Sequence, residues 1–119
     1  MEIEYFIKED KKGGKQVVMQ RAYKTCPKID NYAYGYGTLT TFNKDGSFNL
    51  QSATPIPPED YIKEGFKRCS KKEAIDFAQD PTGLIGDEMN FQELDKMAIE
   101  SYNSENMEKL LDNDNTTNK

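Results

Sequence analysis

Histidine is absent from all 119 residues, and so is tryptophan. Without imidazole the chain lacks the commonest general base near neutral pH, the commonest nitrogen ligand for metals, and every Ser–His or Cys–His nucleophile arrangement. Cysteine is almost as scarce. Cys26 and Cys69 are too few for a disulfide framework and have no metal-ligand spacing. Both read as small buried hydrophobes carrying free thiols. Apolar residues make up only 35%, and no apolar run approaches the length of a membrane span. The opening, "MEIEYFIKED", lacks a basic segment followed by an apolar one, so no secretory signal is expected. The expectation is a cytoplasmic protein. Phosphate-binding glycine loops, dinucleotide fingerprints and nucleophile elbows are missing too. An enzyme is therefore not expected, and neither is a metal or cofactor site.

What is present is charge and tyrosine. Charged residues reach 31%, which implies a modest core under a solvated exterior. The net charge of −5 is unevenly placed. Residues 1–36 carry a net +2, residues 37–69 are balanced, and residues 70–119 carry a net −7. An acidic C-terminal part disfavours direct nucleic-acid binding there and suits a protein partner with a basic surface. The length fits one domain over residues 1–111, with a polar, flexible tail at 112–119.

The first half reads as strands. "EIEYFIKE" alternates Ile3, Tyr5 and Ile7 with Glu2, Glu4, Phe6 and Lys8, the period of two expected of a half-buried strand. "DKKGG" breaks the pattern, and "KQVVMQRAYKTC" resumes it with Val17, Met19 and Tyr23 in phase. Arg21 falls in the same phase, so either the strand twists or bulges there or the arginine is paired. Two β-prone runs, Thr38–Phe42 and Ser47–Gln51, flank "NKDG", where Gly46 can close a hairpin loop. Phe48 and Leu50 alternate with Asn49 and Gln51, so one face of that hairpin should be wet. These four strands run in meander order.

"TPIPP" then marks the change from β to α character. Beyond it, one helical turn and a short fifth strand at "GFKRC" lead to Ser70, which forms a capping box with Glu73. The helix that follows should turn Ala74, Ile75, Phe77 and Ala78 inward and stop at Asp80-Pro81. Asn90 with Glu93 repeats the capping pattern before a second helix, whose core stripe is Phe91, Leu94, Ala98 and Tyr102. "SENMEKLL" offers a third helical segment. The expected class is α+β: an antiparallel sheet of four to five strands in the N-terminal half, with two to three helices of the C-terminal half packed on one face.

Two short motifs weigh little. "GLIG" at Gly83–Gly86 has the spacing of a backbone clamp in one class of RNA-binding domain, but Asp87 and Glu88 follow at once and would repel phosphate. It reads as an interhelical turn. "DNDNT" from Asp112 opens like a calcium loop without the later glutamate or the mid-loop glycine.

"NYAYGYG" is the unusual stretch. In an extended chain Tyr32, Tyr34 and Tyr36 project to one side, with only Ala33 and Gly35 on the other. The rings either pack along the sheet or form an adhesive stripe of the Tyr/Gly kind found in adaptable binding loops. The composition, which is short, acidic, rich in lysine and asparagine and free of catalytic signatures, resembles that of small accessory proteins of phages and mobile elements. The leading expectation is a non-enzymatic protein-binding module, an inhibitor or adaptor, directed at a partner that handles nucleic acid. Tyr32, Tyr34, Tyr36, Glu93 and Glu100 are its candidate contacts. The alternative is a small-ligand or nucleotide-binding domain that uses the three tyrosines. No membrane partner is expected, and homo-oligomerisation is left open.

Overall fold

The computed structural model describes residues 2–26 and 32–101, without the side chains of Cys26 and Tyr32. Five strands form one antiparallel sheet: β1 (Ile3–Glu9), β2 (Lys15–Arg21), β5 (Gly37–Phe42), β6 (Phe48–Ser52) and β7 (Lys67–Cys69). Between β2 and β5, the two-residue strands β3 (Thr25–Cys26) and β4 (Tyr32–Ala33) pair with each other in a small ribbon. Helices α1 (Pro58–Lys63) and α2 (Lys71–Ala78) follow, and a third helix, α3, spans 88–101. The protein is therefore α+β. Among the described residues no helix is long and apolar enough to cross a membrane.

The sheet order is β6-β5-β2-β1-β7. The first four strands keep meander order, and the tip between β5 and β6 closes as its sequence predicts, with Gly46 at a φ of +89°. β7 does not continue the meander. After β6 the chain crosses the sheet and adds β7 antiparallel to β1 at the opposite edge.

That crossing decides which faces are buried. One face presents Tyr5, Val17 and Met19 to Ala74 and Ala78 of α2, Ile85 of the following loop, and Phe91 of α3. The other presents Phe6 and Val18 to Tyr61 of α1 and to Phe66. The expectation that the helices share one face holds for α2 and α3, whereas α1 lies on the second face. The reason is in β1 itself. Phe6 alternates with Tyr5 and needs cover as much as Tyr5 does. Its ring is fully buried, 4.8 Å from that of Tyr61, a burial worth about 2–3 kcal/mol.

The crossing segment is pinned by side chains acting as backbone partners. Gln20 is fully buried; its Nε2 donates to the Ile56 carbonyl at 2.8 Å and its Oε1 accepts the Ile56 N–H at 3.1 Å. The same Nε2 donates to Glu4 at 2.9 Å, and Glu4 also accepts the Tyr23 N–H and pairs with Arg68 at 3.2 Å. A polar residue on this face is therefore not a wet one. Glu4 and Gln20 anchor a segment whose prolines, Pro55 among them, have no N–H to offer a ladder.

Local signals at the helices act as the sequence indicates. Ser70 caps α2, accepting the Glu73 N–H at 3.1 Å while the Glu73 carboxylate accepts the Ser70 N–H. Ala74 and Ala78 are buried, and Ile75 and Phe77 pack against the same core. The start of α3 differs from expectation. Its cap is Asp87, which accepts the Asn90 N–H at 3.0 Å, so Asn90 lies inside the first turn. An aspartate before three helical residues competes well for that position, and its charge suits the helix N-terminus. Tyr102, the "SENMEKLL" segment and the tail at 112–119 lie outside the described residues.

Candidate functional site

The tyrosine stretch meets α3 at one buried carboxylate. Asp95 is 2% exposed and sits one turn beyond Phe91 on the helix face that meets the sheet. Its Oδ2 accepts from Arg21 Nε at 2.7 Å, and its Oδ1 accepts the Tyr36 N–H at 2.8 Å. Arg21 keeps its place on the apolar face of β2 because it is paired. One carboxylate thus ties together the end of β2, the entry to β5 and α3.

"NYAYGYG" is shaped by this junction. Gly35 has a φ of +109°, so alternation breaks there and Tyr34 and Tyr36 do not continue one extended stripe. A Cβ on Gly35 would stand 2.5 Å from Arg21 Cδ and 3.0 Å from Asp95 Oδ1. Glycine is needed because the backbone passes directly over the ion pair. The Tyr36 ring packs edge-on against Phe91 with centroids 5.3 Å apart. Tyr34 is half-buried with the Arg21 guanidinium over its ring at 5.9 Å. The Tyr32 side chain lies outside the described residues. Tyr36 therefore belongs largely to the core, and Tyr34 to the cover of Arg21.

Glu93 and Glu100 occupy the other side of α3, and both are exposed. Two residues that the sequence reading did not single out share that side. Met89 is 83% exposed and Met97 is 57% exposed. With a 3.6-residue turn, positions 89, 93, 97 and 100 fall along one face, so methionine and glutamate alternate down the helix. The signal was legible: Met89 and Met97 flank Glu93 at four-residue spacing, out of phase with the core stripe.

Beside this helix lies a shallow cleft between its first turns and the outer strands. Thr38, Thr40 and Leu50 form one wall, Leu84, Phe91 and Leu94 the other. The loop carrying Leu84 is shaped by Asp80, which accepts the Thr82 N–H at 2.9 Å and the Ile85 N–H at 3.1 Å. Burial opposes ionisation of Asp80, but the Thr82 hydroxyl and the N–H groups of Ile85, Thr82 and Leu84 outweigh it and hold the carboxyl below the usual range. Those bonds also seat Ile85, fully buried, beneath α2 and α3. "GLIG" is thus an interhelical turn whose isoleucine plugs the core.

Cys69 is a half-buried free thiol, its pKa raised by burial and then by the Glu73 carboxylate, against a smaller opposing effect of Lys67. Among the described residues no group of three or more Cys, Asp or Glu side chains is placed to hold a metal ion. Comparison with protein-family models, curated proteins and solved structures finds no match.

Proposed function

We propose that the protein is a non-enzymatic protein-binding module, an inhibitor or adaptor, that works by laying the outer face of α3 against a partner. The observation that supports this reading is the exposure of Met89 and Met97, at 83% and 57%, on either side of Glu93. Large apolar side chains on a short helix normally turn inward. Methionine is unbranched and polarizable, and adapts its shape to whatever surface it meets. Alternation with Glu93 and Glu100 suits a partner that combines an apolar groove with basic residues, such as a protein groove that holds nucleic acid. The carboxylates would steer the encounter and the methionines would hold the complex.

The test is affinity capture from a cell lysate with the full chain as bait, repeated with Met89→Asp and with Glu93→Lys. A partner held by the wild type and lost by both variants, with unchanged thermal midpoints, is the expected result. Raised salt should slow its association more than it speeds dissociation. Equal capture by all three baits would remove α3 from the interface and overturn the reading.

A further inference from the structure

The two edges of the sheet are finished in opposite ways. β7 is three residues long, and its Lys67 and Arg68 are exposed and charged. Short length and lysine are the usual protections of an edge against pairing with another chain. β6 has neither. It is five residues long, exposed throughout, and no charged residue occurs anywhere from Gly46 to Pro58. Nearly a third of this chain is charged, so the gap is conspicuous. Among the described residues no strand lies beyond β6.

The hydrogen-bond phase shows which backbone groups that edge offers. The Ala53 N–H donates to the Gly37 carbonyl at 2.8 Å, and the Asn43 N–H to the Ser47 carbonyl at 2.8 Å. In the same register Asn49 and Gln51 bond inward to β5, so the N–H and C=O groups of Phe48, Leu50 and Ser52 point away from the sheet. Phe48 and Leu50 are 46% and 47% exposed.

We infer that β6 pairs antiparallel with β6 of a second copy, about a two-fold axis through Leu50, and joins the two sheets into one. The sequence "FNLQS" is suited to meet itself. In the register centred on Leu50, the outward groups of Phe48 face those of the partner's Ser52, and Leu50 faces its own counterpart, forming about six N–H···O bonds. On one face each Phe48 lies diagonal to the partner's Leu50, which buries two half-exposed apolar side chains. On the other face Asn49 meets the partner's Gln51, and two carboxamides can each donate and accept. Neutrality favours a second copy over a different protein. A charge on a two-fold axis confronts its own like charge, so the position that meets itself must be uncharged, as Leu50 is, and with no charge elsewhere on β6 the edge offers nothing to a charged partner. The groups that would pair belong to β6, and the proposed partner contacts belong to α3, so substitutions at Leu50 and at Met89 or Glu93 test the two associations separately.

The experiment is hydrogen exchange by NMR on the full chain at several concentrations, with mass measured by light scattering. The expected result is a dimer at high concentration in which the amides of Phe48, Leu50 and Ser52 become protected. Those of Asn49 and Gln51 should be protected throughout. Leu50→Pro removes one outward N–H without breaking a bond to β5, and should weaken dimerisation at least tenfold. Leu50→Lys, which leaves the backbone intact and sets two like charges on the axis, should do the same. A monomer across the whole range, a dimer whose outward amides still exchange freely, or a monomer whose outward amides are already protected would each overturn the proposal.

Discussion

Removing the Asp95 carboxylate should be the most damaging single change on α3 that leaves its apolar packing in place. Asp95 accepts from Arg21 Nε at 2.7 Å and from the Tyr36 N–H at 2.8 Å, and the two side chains of the ion pair are 21% and 3% exposed. Asp95→Ala strands both donors. A buried N–H left without a partner costs about 1–3 kcal/mol. Breaking a fully buried ion pair costs about 3–5 kcal/mol, but Arg21 can recover part of its hydration through its exposed fifth, which places its share near the bottom of that range or below. A total of about 3–4 kcal/mol is expected, a large part of the stability of a domain this small. Asp95→Asn keeps an acceptor for the Tyr36 N–H while losing the charge, and should cost about half as much. Arg21→Met strands the more deeply buried partner, and should cost about 3 kcal/mol. The double variant Arg21→Met/Asp95→Ala leaves no unpaired charge, so it should be far more stable than the two single losses would suggest if they added.

Urea denaturation of the four variants, followed by circular dichroism, measures this cycle. A coupling of about 1.5–3 kcal/mol is expected between the two positions. Should Asp95→Ala lie within about 1 kcal/mol of the wild type, or should the single losses simply add, the carboxylate would not be the tie between helix and sheet. The role assigned to Gly35 would then fall with it.

Tyr5 carries a buried hydroxyl that has no hydrogen-bond partner among the described residues, so Tyr5→Phe should be neutral or stabilising by up to about 1 kcal/mol in thermal unfolding. Its pKa is pushed up to about 12, by burial first and then by the Glu88 carboxylate. Because the folded state holds that proton more tightly than the unfolded chain does, the stabilisation is complete below pH 10 and is lost as pH rises through 12; Tyr5→Phe should flatten that fall in an alkaline unfolding series. Ser70→Ala removes one half of the capping box on α2 and should cost about 1 kcal/mol by urea denaturation, whereas an unchanged midpoint would show that α2 is held by its packing alone.

Much of this was written in short windows of the chain. Alternation in "EIEYFIKE", the tip "NKDG", the single turn and short strand before Ser70, and the capping box itself are contacts between near neighbours, which composition and spacing report directly. Arg21 was legible as a conflict, a charge in an apolar phase, but its partner lies 74 residues away. Asp95 had no such signal, since an aspartate on a helix that also carries Lys96 and Glu100 reads as solvated surface. The tyrosine stretch misled for a related reason. Alternating tyrosines imply a common side only if the chain stays extended, and Gly35 interrupts it to clear an ion pair that the segment itself does not contain.

By itself the sequence determined the α+β class, the meander of four strands, the single turn, short strand and capped helix after it, and the balance of charge between the two halves. These follow from residue periodicity and turn chemistry, which act over a few residues. It did not determine the β3–β4 ribbon, where the strand expected to run on from Lys15 ends at Arg21. Only the tertiary structure decided that the chain crosses from one edge of the sheet to the other and lays Tyr61 over Phe6, so that both faces are buried. It likewise placed Glu4 and Gln20 as buried anchors and Asp95 at the meeting of three elements, and it left β6 as the long, uncharged edge. Each of these depends on which distant segment arrives to satisfy a backbone or side-chain group, and a hydrogen-bonding group carries no mark in the sequence of the partner it will find.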